Sequence, residues 1–194
     1  MKSFLTSMLL LLLTHLGLAQ NKTLPYYEIP AYPDAYTPGT VAARIIDGAG
    51  FRYYWATEGL RTEDLKYKPS VEARTTEQTL QHIYGLSVNI VNSTLKKVNS
   101  GEDEELPFEE LRRRTLNNFK QASDILKANG NAGLEEFELI FEGRDQNYVY
   151  PFWNQLNGPI ADALWHIGQV VSHRRGSGNP FDSNVSVLSG KRRE

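Results

Sequence analysis

The sequence predicts an all-α protein, a bundle of four helices that follows an extended N-terminal arm. Apolar residues recur at three- and four-residue steps in four separate segments, which is the spacing of amphipathic helices. Hydrophobic residues make up 40% and charged residues 23% of the 194-residue chain, so it can build a core and does not have a disordered composition. At roughly 100–200 residues per domain, this length predicts one domain.

Cysteine content and net charge exclude several function classes. The chain has no Cys, which rules out disulfides, a thiolate zinc site, a Cys nucleophile and an iron–sulfur cluster. The formal net charge of −2 argues against a general nucleic-acid binder, which usually carries a basic excess. The open question is whether the four His residues have a function.

Residues 1–19 have the pattern of a bacterial secretory signal peptide. Lys2 supplies the positive start, residues 8–13 are an unbroken apolar run, and Gly17 and Ala19 are the small residues that a signal peptidase reads. A membrane anchor is the alternative, but the run is short for a span of roughly 20 residues. A lipoprotein is excluded because lipidation needs a Cys. The sequence therefore predicts a secreted protein, periplasmic or extracellular, with no stable membrane anchor after cleavage.

A segment rich in Pro and Tyr, residues 20–38, precedes the first helix. Its prolines forbid a regular helix, and its tyrosines indicate an extended arm that lies on the domain. Thr37 and Pro38 are a helix-start signal, so the first helix is predicted from about residue 39 to 60, with a loop over 61–70. The bulky apolar positions of this helix are Val41, Ile45, Phe51, Trp55 and Leu60.

The second and third helices have the clearest boundary signals. Thr75 with Gln78 fits a capping box at the start of the second helix, which is predicted to end near Val98. The third helix follows Pro107 and is capped by Gly130. Each helix has an apolar stripe: Leu80, Ile83, Tyr84, Val88, Val91 and Leu95 in the second, and Phe108, Leu111, Leu116, Phe119, Ala122, Ile125 and Leu126 in the third.

The fourth helix is predicted from about residue 158 to 176. Before it, residues 138–151 are β-prone and fit either a long crossover or a small hairpin. Residues 39–180 are thus predicted to form the bundle domain, and residues 181–194 a flexible tail. The apolar stripe of the fourth helix consists of Ile160, Leu164, Ile167 and Val171.

A line of polar residues adjoins this stripe. Its members are spaced by four, three and four residues, so at about 100° per residue they share one line: Asp162, His166, Gln169 and His173. Asp162 and His166 lie one turn apart and can reach one metal ion, and Gln169 could support the site through a hydrogen bond. His173 lies about 10 Å further along the axis, too far to join, and is predicted to be a capping or surface residue.

A third ligand must come from another helix. Signal cleavage removes His15 and leaves three histidines, of which His82, on the second helix, is the one outside the fourth helix. Two His and one Asp around an open position suit a divalent Zn, Ni, Fe or Mn ion. The alternative is that His82 is a surface histidine and Asp162 an acid favoured by the dipole in the first turn of its helix.

Three stretches of the chain resemble the DinB/YfiT-like superfamily of metalloenzymes. FRYYWATEGLRTEDLKYKPS is similar to the first helix and following loop, TTEQTLQHIYGLS to the second helix, and NGPIADALWHIGQVVSHRRGSGNP to the last helix. The resemblance implies an up-down four-helix bundle with a metal held by one His of the second helix and two of the last. By position these become His82, Asp162 and His166. Asp162 stands where the family often has His, which favours harder ions.

The resemblance and the signal peptide together imply a secreted metal-dependent enzyme that acts on an unknown small molecule. It would be a thiol-dependent S-transferase or isomerase, using a thiol from outside, or a metal-assisted hydrolase. The alternative is a non-catalytic helical bundle that binds a ligand or partner, and a homodimer is left open. A di-iron bundle is disfavoured because the paired Glu-x-x-His motifs are missing. The candidate cavity residues are Trp55, Trp165 and Glu58, with core packing (tryptophans) and solvent exposure (Glu58) as the alternatives.

Overall fold

The computed structural model describes residues 24–101 and 104–193. The predicted signal peptide, residues 1–19, and residues 20–23 of the predicted arm lie outside the described residues. In the described part the chain is mostly helical, which agrees with the predicted all-α class. No helix within these two ranges combines the length and the apolar character that crossing a membrane requires.

Four long helices and two short ones occur in the described residues. In chain order they are α1 (Pro38–Thr57), α2 (Thr62–Lys66), α3 (Thr76–Thr94), α4 (Phe108–Ala128), α5 (Phe152–Gln155) and α6 (Ala161–Gly176). Helix α1 packs against α4 and α6, and α3 also packs against α4 and α6. These contacts join the long helices in a ring of order α1, α4, α3, α6, in which α1 and α3 are diagonal. A plain up-down arrangement would make these consecutive helices neighbours.

Threonine caps begin α1 and α3, as the sequence predicts. The Thr40 N–H donates to the Thr37 hydroxyl at 3.2 Å, and the Thr37 N–H donates to the Thr40 hydroxyl at 2.8 Å. At the start of α3, the Gln78 N–H donates to the Thr75 hydroxyl at 3.1 Å and the Thr75 N–H donates to Gln78 Oε1 at 2.9 Å. Each box pairs N–H groups that the helix itself leaves without a partner.

The buried face of α1 agrees with the prediction at Phe51 and Trp55 and differs from it at two other positions. Val41 and Ile45 are exposed, whereas the small residues Gly39 and Ala43 are buried. A Cβ on Gly39 would collide with the carbonyl oxygen of Leu126, so the backbones of α1 and α4 approach closely at this point. Small residues permit such an approach in the first turns of α1, where Val41 and Ile45 point outward.

Both α1 and α3 end earlier than predicted. Helix α1 ends at Thr57 rather than near residue 60, and Gly59 follows with a left-handed φ of 68°. Helix α3 ends at Thr94 rather than Val98, because Lys96 takes a left-handed φ of 57° and reverses the chain. The periodic spacing of apolar residues continues beyond both helix ends, so it predicted longer helices and did not indicate where the chain reverses.

The predicted loop over 61–70 contains the short helix α2. The Asp64 carboxylate organises this turn by accepting hydrogen bonds from the Arg61 N–H at 2.7 Å and from Arg61 Nε at 3.0 Å. Ser177 and Asn179, which follow α6, also donate to Asp64. The Arg61 guanidinium and these donors hold the pKa of Asp64 well below its usual value, despite burial.

Residues 138–151 form a hairpin, which resolves the open alternative. Strand β1 (Val98–Asn99) pairs in parallel with β2 (Leu139–Phe141), and β2 pairs antiparallel with β3 (Tyr148–Tyr150). The Asn99 side chain donates to the Ile140 carbonyl at 2.9 Å and ties β1 to the hairpin.

The chain kinks sharply before α6. Helix α5 leads into a π-helical turn, Leu156–Ile160, in which Gly158 has a non-helical φ of −95° and ψ of −109°. Pro159 has no N–H with which to continue a helix across the kink. Helix α6 therefore begins at Ala161 rather than near residue 158, and Asp162 lies in its first turn.

The part of the predicted arm that is described lies on α1. Residues 24–37 contain neither helix nor strand, and the buried Tyr26 donates its hydroxyl proton to Asp47 Oδ1 at 3.0 Å. Trp55 Nε1 donates to the Tyr27 carbonyl at 3.1 Å. Trp55 is buried, so the core-packing interpretation of this residue is confirmed.

The predicted flexible tail contains a second hairpin. Strand β4 (Val185–Ser186) pairs antiparallel with β5 (Lys191–Arg192), and Val185 is buried. The Ile29 N–H donates to the Gly190 carbonyl at 2.9 Å, which joins the tail to the arm. Strands of two residues are too short to show an alternating pattern, so the sequence did not indicate them.

Candidate metal centre

The three predicted ligands converge from two packed helices. His82 lies on α3, and Asp162 and His166 lie one turn apart on α6. Because α3 packs against α6, His82 meets the other two residues. His82 Nε2 lies 3.2 Å from Asp162 Oδ2, and His166 Nε2 lies 3.3 Å from Asp162 Oδ1. The two imidazole rings meet edge to face, with centroids 4.5 Å apart.

The spacing of the donor atoms fits a metal ion. One donor atom from each residue lies within 4.8 Å of the other two, so the group could hold a metal. In a tetrahedral site with bonds of about 2.0–2.1 Å, neighbouring ligand atoms are about 3.3 Å apart. His82 Nε2 and His166 Nε2 approach different oxygens of Asp162, at 3.2 and 3.3 Å, so each nitrogen–oxygen pair separately has about this spacing. The side chains of His82, Asp162 and His166 are 34%, 37% and 15% exposed, so solvent reaches all three residues.

Gln169 orients the ring of His166. His166 Nδ1 lies 2.8 Å from Gln169 Oε1 and, since an amide oxygen only accepts hydrogen bonds, this contact favours the tautomer with the proton on Nδ1. In the neutral form of that tautomer the other ring nitrogen, Nε2, has a lone pair, and it lies 3.3 Å from Asp162 Oδ1. Two electron-rich atoms this close require a proton or a cation between them. A cation bound between them would meet this requirement, and the expected contact with Gln169 is present, with its amide oxygen as the acceptor.

Among the described residues, the Asp162 carboxylate is the single acidic group in contact with both histidines. When the imidazoles are neutral, Asp162 gives the group a formal charge of −1, and a divalent ion would change it to +1. That charge would favour an anionic or electron-rich group at the open position.

His173 is buried, contrary to the prediction of a capping or surface residue. It is 7% exposed, its Nδ1 lies 3.2 Å from the Thr76 hydroxyl, and its ring lies against that of Tyr67. Burial lowers the pKa of His173 below its ordinary value. The loop that joins α2 to α3 covers this end of α6, which the local sequence does not indicate. The group of possible metal donors does not include His173.

Two cavities adjoin the three residues. The aromatic cavity has a volume of about 630 Å³ and is lined by Asp162, Trp165 and aromatic rings of the β2–β3 hairpin. The helix-end cavity has a volume of about 750 Å³ and is lined by His166, Gln169 and Arg74, among others. Trp165 lines both cavities. A ligand in either cavity would lie beside a candidate metal ligand.

Trp165 and Glu58 are both exposed, which tests the alternatives of core packing for the tryptophan and solvent exposure for Glu58. Trp165 is 71% exposed, so the core-packing alternative is wrong for this residue and the cavity interpretation agrees with the structure. Glu58 is exposed, as its alternative predicted, and pairs with the buried Arg112. Arg112 Nε also donates to the Thr57 hydroxyl at 2.9 Å, which anchors the end of α1 to α4.

The sequence analysis missed the residues of the cavity walls. Phe141, Tyr148 and Tyr150 line the aromatic cavity, and Arg74 lines the helix-end cavity. Tyr148 and Tyr150 are two positions apart, which puts them on the same face of a strand, and this spacing was a usable signal. Arg74 precedes α3 in a loop and carried no local signal.

Comparisons with protein-family models, with curated proteins and with solved structures found no match for this chain. The function is therefore inferred from the residues and their geometry.

Proposed function

We propose that this protein is a secreted, divalent-metal-dependent hydrolase of the DinB/YfiT-like superfamily. The observation that carries the proposal is the convergence of His82, Asp162 and His166, whose donor atoms lie within 4.8 Å of one another. The resemblance of three sequence stretches to the superfamily supports it. The signal-peptide pattern of residues 1–19 supports secretion.

The proposed ion is Zn, Ni, Fe or Mn. Two imidazole nitrogens and one carboxylate oxygen form a donor set that these ions accept, and a chain without Cys offers no thiolate. A bound ion would act as a Lewis acid and lower the pKa of a coordinated water molecule, so that the water can attack an electrophilic centre at neutral pH.

The neighbouring side chains have separate roles in this proposal. Gln169 keeps the proton of His166 on Nδ1 and leaves Nε2 free to bind. Asp162 would supply the carboxylate ligand, and its two oxygens lie 3.2 and 3.3 Å from Nε2 of His82 and of His166. Trp165 stands between the two cavities and would contact a substrate in either one. Arg74 offers a positive charge to an acidic group in the helix-end cavity.

Hydrolysis is preferred to thiol transfer for two reasons. The chain has no Cys, so a thiol would have to arrive as a second substrate. A secreted protein would also be separated from the reducing thiols of the cytosol. The family resemblance nevertheless implies thiol-dependent S-transferases and isomerases, so a low-molecular-weight thiol belongs in the activity assay.

The four long helices are proposed to form the bundle that the resemblance implies. Their ring order α1, α4, α3, α6 is consistent with a four-helix bundle. Two long connections, residues 58–75 and 129–160, join diagonal helices in this order. We therefore propose a bundle with two crossover connections rather than a plain up-down order.

Metal analysis of the purified protein tests the proposal. After loading with Zn²⁺ and removal of free metal, the wild type should retain about one ion per chain, whereas His166→Ala and His82→Ala should retain little. His173→Gln is the matched control, because it removes a histidine that is not a proposed ligand. Equal metal content in the wild type and His166→Ala would overturn the proposal and favour the non-catalytic bundle.

Activity provides the second test. Ester, amide and phosphoester substrates are assayed with and without an added thiol, before and after chelation. Hydrolysis that disappears with the metal and does not need the thiol supports the proposal. Activity that strictly requires the thiol would assign the site to S-transfer or isomerisation instead.

A further inference from the structure

A third cavity lies between α1, α6 and the C-terminal segment. It has a volume of about 580 Å³ and is lined by three arginines: Arg44 and Arg52 of α1 and Arg175 of α6. We call it the arginine cavity. The three metal-ligand candidates do not line it. Its volume is within the range of about 300–1,000 Å³ that small-molecule sites occupy.

The rest of the wall is mostly apolar. Leu164, Ile167 and Val171 extend along α6, and Phe181 and Val187 from the C-terminal segment lie opposite. Val187 is an exposed hydrophobic residue, so part of this surface faces solvent. The cavity thus combines a cationic part with an apolar strip.

No acidic residue is among the described residues that line the cavity. None of the three arginines forms an ion pair with a carboxylate in residues 24–101 or 104–193. The formal net charge of the whole chain is −2, whereas the arginine cavity is locally positive. Clustered like charges repel each other, and an anion would relieve that repulsion.

Two of the arginines are already held in place. Arg44 Nη1 donates to the Pro30 carbonyl at 2.8 Å, and its guanidinium lies 4.7 Å from the centroid of the Tyr32 ring. Arg52 Nη1 donates to the Gly48 carbonyl at 3.0 Å. Each of the two hydrogen bonds uses one of the five N–H groups of a guanidinium and leaves others for a ligand. Side chains ordered in this way lose less entropy when they bind.

We propose that the arginine cavity binds a small amphipathic carboxylic acid. The carboxylate would accept hydrogen bonds from Arg52 and Arg175, and an apolar tail would lie along Leu164 and Val171. Guanidinium groups suit this role because they donate two parallel hydrogen bonds to a carboxylate. This site is separate from the proposed metal centre and does not depend on it.

Isothermal titration calorimetry with octanoate tests this proposal. Octanoate should bind saturably at one site per chain. Octanol, which lacks the charge, and acetate, which lacks the tail, should each bind at least about tenfold more weakly. Octanol that binds as tightly as octanoate would overturn the proposal.

Substitutions locate the site. Arg52→Gln and Arg175→Gln should each weaken octanoate binding by about tenfold, and Arg175→Lys should retain part of it because the charge remains. The matched control is Arg144→Gln, which removes the same charge from the exposed β2–β3 loop and should bind like the wild type. Thermal unfolding checks that each variant is folded. Wild-type affinity in both folded glutamine variants would overturn the proposal.

Two further controls distinguish the arginine cavity from the metal centre and from a membrane-binding surface. A carboxylate could also bind a metal, so His166→Ala should bind octanoate like the wild type, and loss of binding in that variant would overturn the proposal. Vesicles of anionic phospholipid test a membrane contact. Capture by vesicles that needs Arg52 and Arg175, without saturable octanoate binding, would also overturn it.

Discussion

His82 and Asp162 are 80 positions apart in the sequence, yet their side chains meet at 3.2 Å between α3 and α6. The second oxygen of Asp162 lies 3.3 Å from Nε2 of His166 on the same helix. One carboxylate therefore links two histidines from different helices. This contact depends on the packing of α3 against α6 and on the orientation of the two imidazole rings. Substitutions can test these two requirements separately.

Zinc should stabilise the wild type and leave His82→Ala unchanged. A ligand that binds only the folded state stabilises it by about 2.7 kcal/mol at a hundred times its Kd. Differential scanning fluorimetry with Zn²⁺, Ni²⁺ and Mn²⁺ measures this as a rise in Tm. His173→Gln should show the same zinc-dependent rise as the wild type. An equal rise in His82→Ala would mean that zinc binds elsewhere.

Gln169→Leu should weaken metal binding without removing a ligand. The leucine cannot accept the Nδ1–H of His166, so the ring loses the partner that fixes its tautomer. Loss of such a supporting hydrogen bond typically lowers metal affinity by about 10–100-fold. Competition with a chromogenic chelator measures the Kd. Gln169→Glu keeps an acceptor and should retain more affinity than Gln169→Leu, and the reverse order would contradict the proposed role.

Stability should decrease with acidification through the titration of His173. Burial lowers the pKa of His173 below its ordinary value of 6.5, so the unfolded chain takes up this proton at a higher pH than the folded protein does. Between the lowered folded value and 6.5, stability rises with pH, and it is lost as pH falls through that window. Urea unfolding of metal-free protein from about pH 5 to 8 measures the effect. His173→Gln should have a flatter profile, and a curve parallel to the wild type would contradict this prediction.

Alanine at two helical glycines should have opposite effects. In Gly39→Ala the new Cβ collides with the Leu126 carbonyl, so α1 and α4 must separate, at a cost of roughly 1–3 kcal/mol in the free energy of unfolding. Gly85 of α3 is the matched control, because no described heavy atom lies within 4 Å of its added Cβ. Gly85→Ala should stabilise the protein by about 0.5–1 kcal/mol through helix propensity. Chemical unfolding of both variants measures the difference, and similar effects would refute close contact at Gly39.

Local patterns predicted the helices where they were strong. The Thr75–Gln78 capping box and the apolar stripe behind it located α3, and Pro107 located the start of α4. These signals act within one or two helical turns, so they can be read without knowing the neighbours. At α1 these patterns correctly predicted the Thr37 cap. They were wrong for Val41 and Ile45, which are exposed, because close backbone contact with α4 places small residues on the buried face there.

Part of the candidate metal site could likewise be predicted from local spacing, and part of it depended on the fold. The spacing of Asp162 and His166 by four residues determined that one metal ion could reach both, whatever the rest of the fold. His82 was chosen because it is the one mature histidine outside the fourth helix, and the resemblance agreed with that choice. The packing of α3 on α6 was needed to bring it within 3.2 Å of Asp162. The cavity wall formed by Tyr148 and Tyr150 depended on a hairpin that the sequence left open.

By itself, the sequence determined the helical class, the caps of α1 and α3, the chemical nature of the donor atoms and the absence of any thiolate. Only the tertiary structure decided that α1 and α3 are diagonal, that His173 is buried, and that three arginines face one apolar cavity. The reason is physical. Capping and periodicity arise from contacts within a few residues, whereas these three features arise from segments that are distant in the chain and meet only when the helices pack.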